Sequence, residues 1–102
     1  MKNPYNILTI EGMKVAYMKF DKPPKTPYLI YYGSGSNNFK ADNKVFNSEN
    51  TYIVEYYNNR KDEKEELKIE KIFDDNEILW EKSEDIYIEK EDLFLIRYYL
   101  GG

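Results

Sequence analysis

Leu93-Phe94-Leu95-Ile96-Arg97-Tyr98-Tyr99-Leu100 is the stretch that decides how this chain folds. Its alternation puts Phe94, Ile96, Tyr98 and Leu100 on one side of a strand, with Leu93, Leu95, Arg97 and Tyr99 on the other. Both stripes are substantially apolar. Such a strand requires cover on two sides, partly from a helix and partly from another layer or another chain. Just upstream, Ile86 and Ile88 alternate with Tyr87, and Lys90-Glu91-Asp92 connects them to the last strand. Ser83-Glu84-Asp85 turns the chain, and Ile78-Leu79-Trp80-Glu81 has the composition of a further short strand.

One helix is predicted before these strands, from about Glu63 to Phe73. Asp62 and Glu65 have the spacing of a reciprocal N-terminal cap, and acidic residues crowd the first turn, where exposed amide hydrogens favour them. Ile69, Ile72 and Phe73 share a side, while Leu67 projects almost opposite. Earlier still, Thr51–Tyr57 reads as a strand with Tyr52, Val54 and Tyr56 on one face and Ile53, Glu55 and Tyr57 on the other. Lys44-Val45-Phe46 and a polar turn over Asn47–Asn50 complete a hairpin with it. Tyr28–Tyr32 is the clearest strand of the first half, and Tyr28, Ile30 and Tyr32 share a face. The small residues of Gly33–Asn38 read as a flexible loop. Met13–Phe20 reads as a strand that ends at the proline-stiffened loop Asp21–Pro27. The first ten residues leave open whether a short helix forms before Gly12. The expected fold is therefore a single α+β domain over residues 1–102, an antiparallel sheet packed against one or two helices.

Composition narrows the chemistry. The 102 residues include no cysteine and no histidine, which excludes disulfides, thiolate nucleophiles, Ser-His and Cys-His triads and most transition-metal sites. No catalytic residue, cofactor site or metal site is expected. A net charge of −4 disfavours sequence-specific nucleic-acid binding, and Lys14, Lys19, Lys22, Lys25, Lys40 and Lys44 read as a solvated face. Gly33–Asn38 lacks the downstream Gly-Lys-Ser/Thr of a phosphate loop. No apolar run approaches a membrane span and no signal-peptide pattern opens the chain, so folding in a cytoplasm is expected; the resemblance described below implies a bacterial host cytoplasm before assembly into the virion. A hydrolase built on Asp42, Glu55 or Asp85 would need those carboxylates to converge, and no spacing requires it; Glu55 is expected on a solvent or interface face. Eleven tyrosines in so small a chain suit both shallow cores and protein interfaces.

Several segments carry a family resemblance. Pro23-Pro24, Pro27-Tyr28 and above all Gly35-Ser-Asn-Asn-Phe-Lys-Ala-Asp-Asn-Lys-Val-Phe46 resemble small tail-completion, tail-terminator or head-tail joining proteins of tailed bacteriophages and prophages of Gram-positive bacteria. The likeness continues through Tyr52–Tyr57, the charged helix, Asn76–Lys82 and the last hairpin, whereas the first dozen residues depart from it in lacking a strong long helix. The resemblance implies an α+β subunit of a ring, commonly hexameric, that caps the tail tube or joins it to the head connector. It implies a homo-oligomer in the virion, with tail-tube and connector proteins as partners, no membrane, no enzyme and no cofactor. Candidate interface residues are Tyr31, Tyr32, Phe39, Phe46, Tyr57 and Arg97, and the Gly33–Asn38 and Pro23–Pro27 loops are candidate contacts between stacked rings. The competing expectation is a small acidic phage-encoded inhibitor that binds a host protein.

Overall fold

The computed structural model describes residues 2–41 and 44–101, with the side chains of 36–49 outside that description. In chain order the elements are helix α1 (Pro4–Thr9), strands β1 (Val15–Tyr17), β2 (Tyr28–Ala41) and β3 (Lys44–Asn58), helix α2 (Glu63–Asp75), and strands β4 (Trp80–Lys82), β5 (Ile86–Ile88) and β6 (Leu93–Leu100). The strands form one sheet in the order β1-β2-β3-β6-β4, and β5 also pairs with β6. Among the described residues the β1–β2 pair alone is parallel; β2–β3, β3–β6, β4–β6 and β5–β6 are antiparallel. The expected α+β fold, an antiparallel sheet against one or two helices, is observed as a mostly antiparallel sheet with two helices.

Local chemistry sets the helix ends. Asn3 accepts a hydrogen bond from the Tyr5 amide and Pro4 occupies the first helical position of α1, where its missing N–H costs nothing. Asp62 caps α2 by accepting from the Glu65 amide at 3.2 Å, as its spacing predicts. At the other end Glu77 takes a left-handed φ of 57° while Ile78 N–H returns to Phe73 O at 2.9 Å. Glu77 N–H reaches Asp74 O at 3.0 Å, which completes the paired closing bonds usually built around a glycine.

Both helices lie on one face of the sheet. Ile7 and Leu8 of α1 and Ile69, Ile72 and Phe73 of α2 pack on Val15, Leu29, Val54, Tyr56, Ile96, Tyr98 and Leu100. Leu8, Val54, Ile69, Phe73 and Tyr98 are wholly buried, while Leu67 stands exposed on the outer side of α2. The central alternations of β2, β3 and β6 thus divide as the sequence predicts.

Three expectations need correction. Gly33–Asn38 is not a loop but the continuation of β2, and Asn47–Asn50 is not a turn but part of one long β3. Turn-forming composition reflects local preference, yet the register runs on from Gly35↔Thr51 to Ala41↔Lys44, with irregularities absorbed between Gly33 and Gly35 and between Phe39 and Lys40. Met13–Phe20 supplies only three strand residues, because Met18 turns the chain with a φ of 65°. Glu55, expected on a solvent or interface face, is buried on the sheet face turned away from the helices.

Candidate functional site

The face of the sheet turned away from the helices is the place to look. Register puts Tyr28, Ile30 and Tyr32 of β2 beside Tyr57, Glu55 and Ile53 of β3, and these beside Leu95, Arg97 and Tyr99 of β6. Ile86 and Ile88 of β5 extend the same surface opposite Leu95 and Leu93. Phe20, just before the proline loop, meets Tyr28 edge-on at 5.5 Å, and Tyr28 stacks on Tyr57 at 5.1 Å. One end of the face is thereby closed by the chain itself. Ile30, Tyr32, Ile53, Tyr57, Leu93, Ile86 and Ile88 remain partly accessible, and Tyr99 is exposed.

Glu55 lies at the centre of this aromatic surface. Its Oε2 accepts from Arg97 Nε at 2.8 Å and from Tyr32 Oη at 3.1 Å, and its Oε1 accepts from Tyr57 Oη at 2.9 Å. Glu55 and Arg97 are directly opposed across β3 and β6, which fixes the pair by the ladder itself. Three donors on one carboxylate offset the cost of removing it from water. Burial, and then the Glu55 carboxylate, hold the hydroxyls of both Tyr57 and Tyr32 above the ordinary phenol range. Hydrogen bonding to Glu55 likewise raises the Arg97 guanidinium.

A second ionic network stands on the helix side. Lys82 Nζ bridges Glu66 at 3.0 Å and Glu70 at 2.7 Å, while Lys61 Nζ bridges Glu66 at 2.8 Å and Asp85 at 2.8 Å. Tyr98 Oη donates to Glu70 at 2.7 Å, and burial followed by that carboxylate drives its hydroxyl far above the phenol range. This network ties α2 to β4 and β6. Sequence reasoning missed it, although Glu66 and Glu70 do share the side of α2 that carries Ile69 and Phe73. A pair of glutamates four apart beside an apolar stripe is the signal that marks them.

The predicted interface residues do not form one surface. Tyr32, Tyr57 and Arg97 converge on Glu55. Tyr31 points to the opposite face, 5.2 Å from Tyr17 and 6.2 Å from Tyr52 between ring centres. Phe39 and Phe46 belong to the outer parts of β2 and β3, and their side chains lie outside the described residues. The three carboxylates of the hydrolase reading do not assemble either: Glu55 and Asp85 sit in different networks, and Asp42 lies outside the described residues. Among the described residues no group of three or more His, Cys, Asp or Glu side chains is placed to hold a metal ion, and no helix is long and apolar enough to cross a membrane.

What the arrangement offers is a shape. A cleft of about 350 Å³, lined by Ser34, Thr51, Tyr52, Glu81, Tyr99 and Leu100, opens where β2 and β3 run on past the end of β6. Comparison with protein-family models and with curated proteins finds no match to the chain.

Proposed function

We propose that this chain is a structural virion protein that caps or completes the tail tube of a tailed bacteriophage and helps join it to the head connector as an oligomeric, hexameric ring. The observation that carries the reading is the partly accessible face of the sheet turned away from the helices. Both helices occupy the other side, so Ile30, Tyr32, Ile53, Tyr57, Leu93 and Tyr99 present an aromatic and aliphatic surface with one satisfied ion pair at its centre. Aromatic residues and arginine are the side chains that dominate the core of protein interfaces. A ring subunit needs two complementary patches of this kind, one for each neighbour. The family resemblance through Gly35–Phe46 and Asn76–Lys82 supplies the particle context.

The work is geometric: one surface meets tail-tube subunits and another the connector, so that tube growth stops and the two parts are bridged. The deciding experiment incubates the purified chain with tail tubes and combines mass measurement with imaging. Rings at tube ends are expected, and substitution of Tyr57 or Tyr32 by serine should abolish them while the monomer stays folded. A chain that neither associates with tail or connector components nor with itself refutes the reading, and a stoichiometric complex with one host protein replaces it with inhibition.

A further inference from the structure

Unpaired charge gathers at two margins of the sheet, and it differs in sign between them. β1 stands first in the strand order, and β5 lies on the far side of β6. Four strand spacings separate the two, roughly 19 Å along the sheet. On the β1 margin, Lys14 precedes the strand, Lys19 follows it, and Lys22 and Lys25 stand in the loop that leads to β2. Lys14 Nζ donates to Lys25 O, so the loop returns to the start of β1. All four lysines are exposed, with Asp21 as the carboxylate among them. On the β5 margin, Glu84 precedes the strand and Glu89, Glu91 and Asp92 follow it, all exposed, with Lys90 as the cation among them.

The internal ion pairs leave both groups untouched. Among the described residues those pairs engage Arg60, Lys61, Lys71, Lys82 and Arg97, and Asp85 of the β5 margin is taken up by Lys61. The four lysines of one margin and the four other carboxylates of the opposite margin have no ionic partner among those residues. Each margin also exposes large apolar side chains. Tyr17 and Met18 are 57% and 58% exposed beside the lysines, and Tyr87 is 51% exposed beside the carboxylates. Register sets Tyr17 level with Tyr31 and Val54, and Tyr87 level with Phe94 and Asn58. Strand alternation thereby places both tyrosines on the helix side of the sheet.

Charge on sheet margins ordinarily keeps copies apart, which works when both margins carry one sign. Margins of opposite sign do the reverse, because each copy then attracts the far margin of another. We infer that the β1 margin of one copy docks on the β5 margin of the next, and that this is the lateral contact of a ring. β2 runs parallel to β1, and the steps β2–β3, β3–β6 and β6–β5 each reverse direction, so β5 is antiparallel to β1. Copies set side by side in one orientation bring lysines against carboxylates and keep Tyr17 and Tyr87 on the same side of the seam. The contact is heterologous, with a different patch on each copy, and it repeats around a closed ring. The aromatic face around Glu55 is then left for tail-tube or connector subunits. This inference rests on the ring reading above and names the contact between neighbouring subunits.

Charge reversal tests the pairing, because exposed charges are replaced with little effect on folding. Lys22→Glu with Lys25→Glu turns the basic margin acidic, and Glu89→Lys with Glu91→Lys turns the acidic margin basic. In sedimentation of the full chain at low salt, each variant alone should self-associate about tenfold or more weakly than the wild type. An equimolar mixture of the two should recover association, since unlike margins meet again. Added salt should weaken the wild-type contact. Lys64→Glu with Lys68→Glu, on the exposed side of α2, alters net charge as Lys22→Glu with Lys25→Glu does and should leave association unchanged. Reversed variants that associate like the wild type, a mixture that fails to recover, a control that weakens association equally, or a wild-type chain that stays monomeric at low salt overturns the contact. Rings on tail tubes that persist in the Lys22→Glu, Lys25→Glu variant leave the functional reading standing and refute this inference alone.

Discussion

Replacing Arg97 by methionine isolates what the ion pair at the centre of the open face contributes. Removing one partner of a buried pair costs ~3–5 kcal/mol, because the remaining charge stays desolvated without its counterion. Here the Arg97 side chain is 37% exposed against 10% for Glu55, so water already screens part of the attraction. Two tyrosine hydroxyls also continue to donate to the carboxylate. The expected cost is therefore about 2–3 kcal/mol. With a urea m-value of about 1.5 kcal/mol/M, the unfolding midpoint falls by roughly 1.3–2 M. Exchanging both partners, Glu55→Leu with Arg97→Met, removes the stranded charge as well and should return stability to within ~1 kcal/mol of the parent. The double-mutant cycle then yields a coupling of about 2 kcal/mol. A midpoint shift below roughly 0.3 M for Arg97→Met, or a double variant as unstable as the sum of the singles, refutes the assignment of Glu55 as a buried, ionised acceptor.

Other outcomes follow from the same structure. Phe73→Ala empties a fully buried site against Tyr98, whose ring centre lies 5.5 Å away, and should cost ~3–5 kcal/mol in denaturant titration. The two ends of α2 should respond in opposite directions: Asp62→Ala loses the cap and about 1 kcal/mol, whereas Glu77→Gly relieves the left-handed φ and gains about 1 kcal/mol. Alkaline titration probes the buried hydroxyls. Burial raises Tyr56 to about 12 from an ordinary value of 10.0, and Tyr57 and Tyr98 are raised as well, so the folded state holds these protons more tightly than the unfolded chain. The resulting stability is complete below pH 10 and is lost as the pH climbs through about 12. Absorbance at alkaline pH should accordingly show a late-ionising class of tyrosines that titrates together with unfolding; simple ionisation of all eleven near 10 would contradict the burial assigned to these three.

Much of the framework is legible before any coordinate. Period-two alternation in Thr51–Tyr57 and Leu93–Leu100 assigns the two faces of the central strands, and the Asp62 cap with the Ile69, Ile72 and Phe73 stripe assigns α2, because these features depend only on neighbours along the chain. Leu67 is the instructive residue: its place opposite that stripe shows only that α2 is not simply amphipathic, and the fold leaves it exposed.

The tertiary structure alone decided the rest, for a common physical reason. A glutamate in an aromatic strand reads only as lying on a solvent or interface face until a distant strand sets an arginine opposite it; the Glu55–Arg97 pair spans a separation of 42 positions. The same holds for Glu66 and Glu70, neutralised by Lys82 from beyond the helix. Glycine, serine and asparagine between Gly33 and Asn50 favour turns locally, yet cross-strand pairing carries them as extended ribbon. Sequence by itself determined the place of α2 and the centres of β2, β3 and β6 with the apolar side of each; the fold decided how far the strands extend, which charges meet and which face the helices cover, since those depend on distant partners whose positions no local pattern encodes.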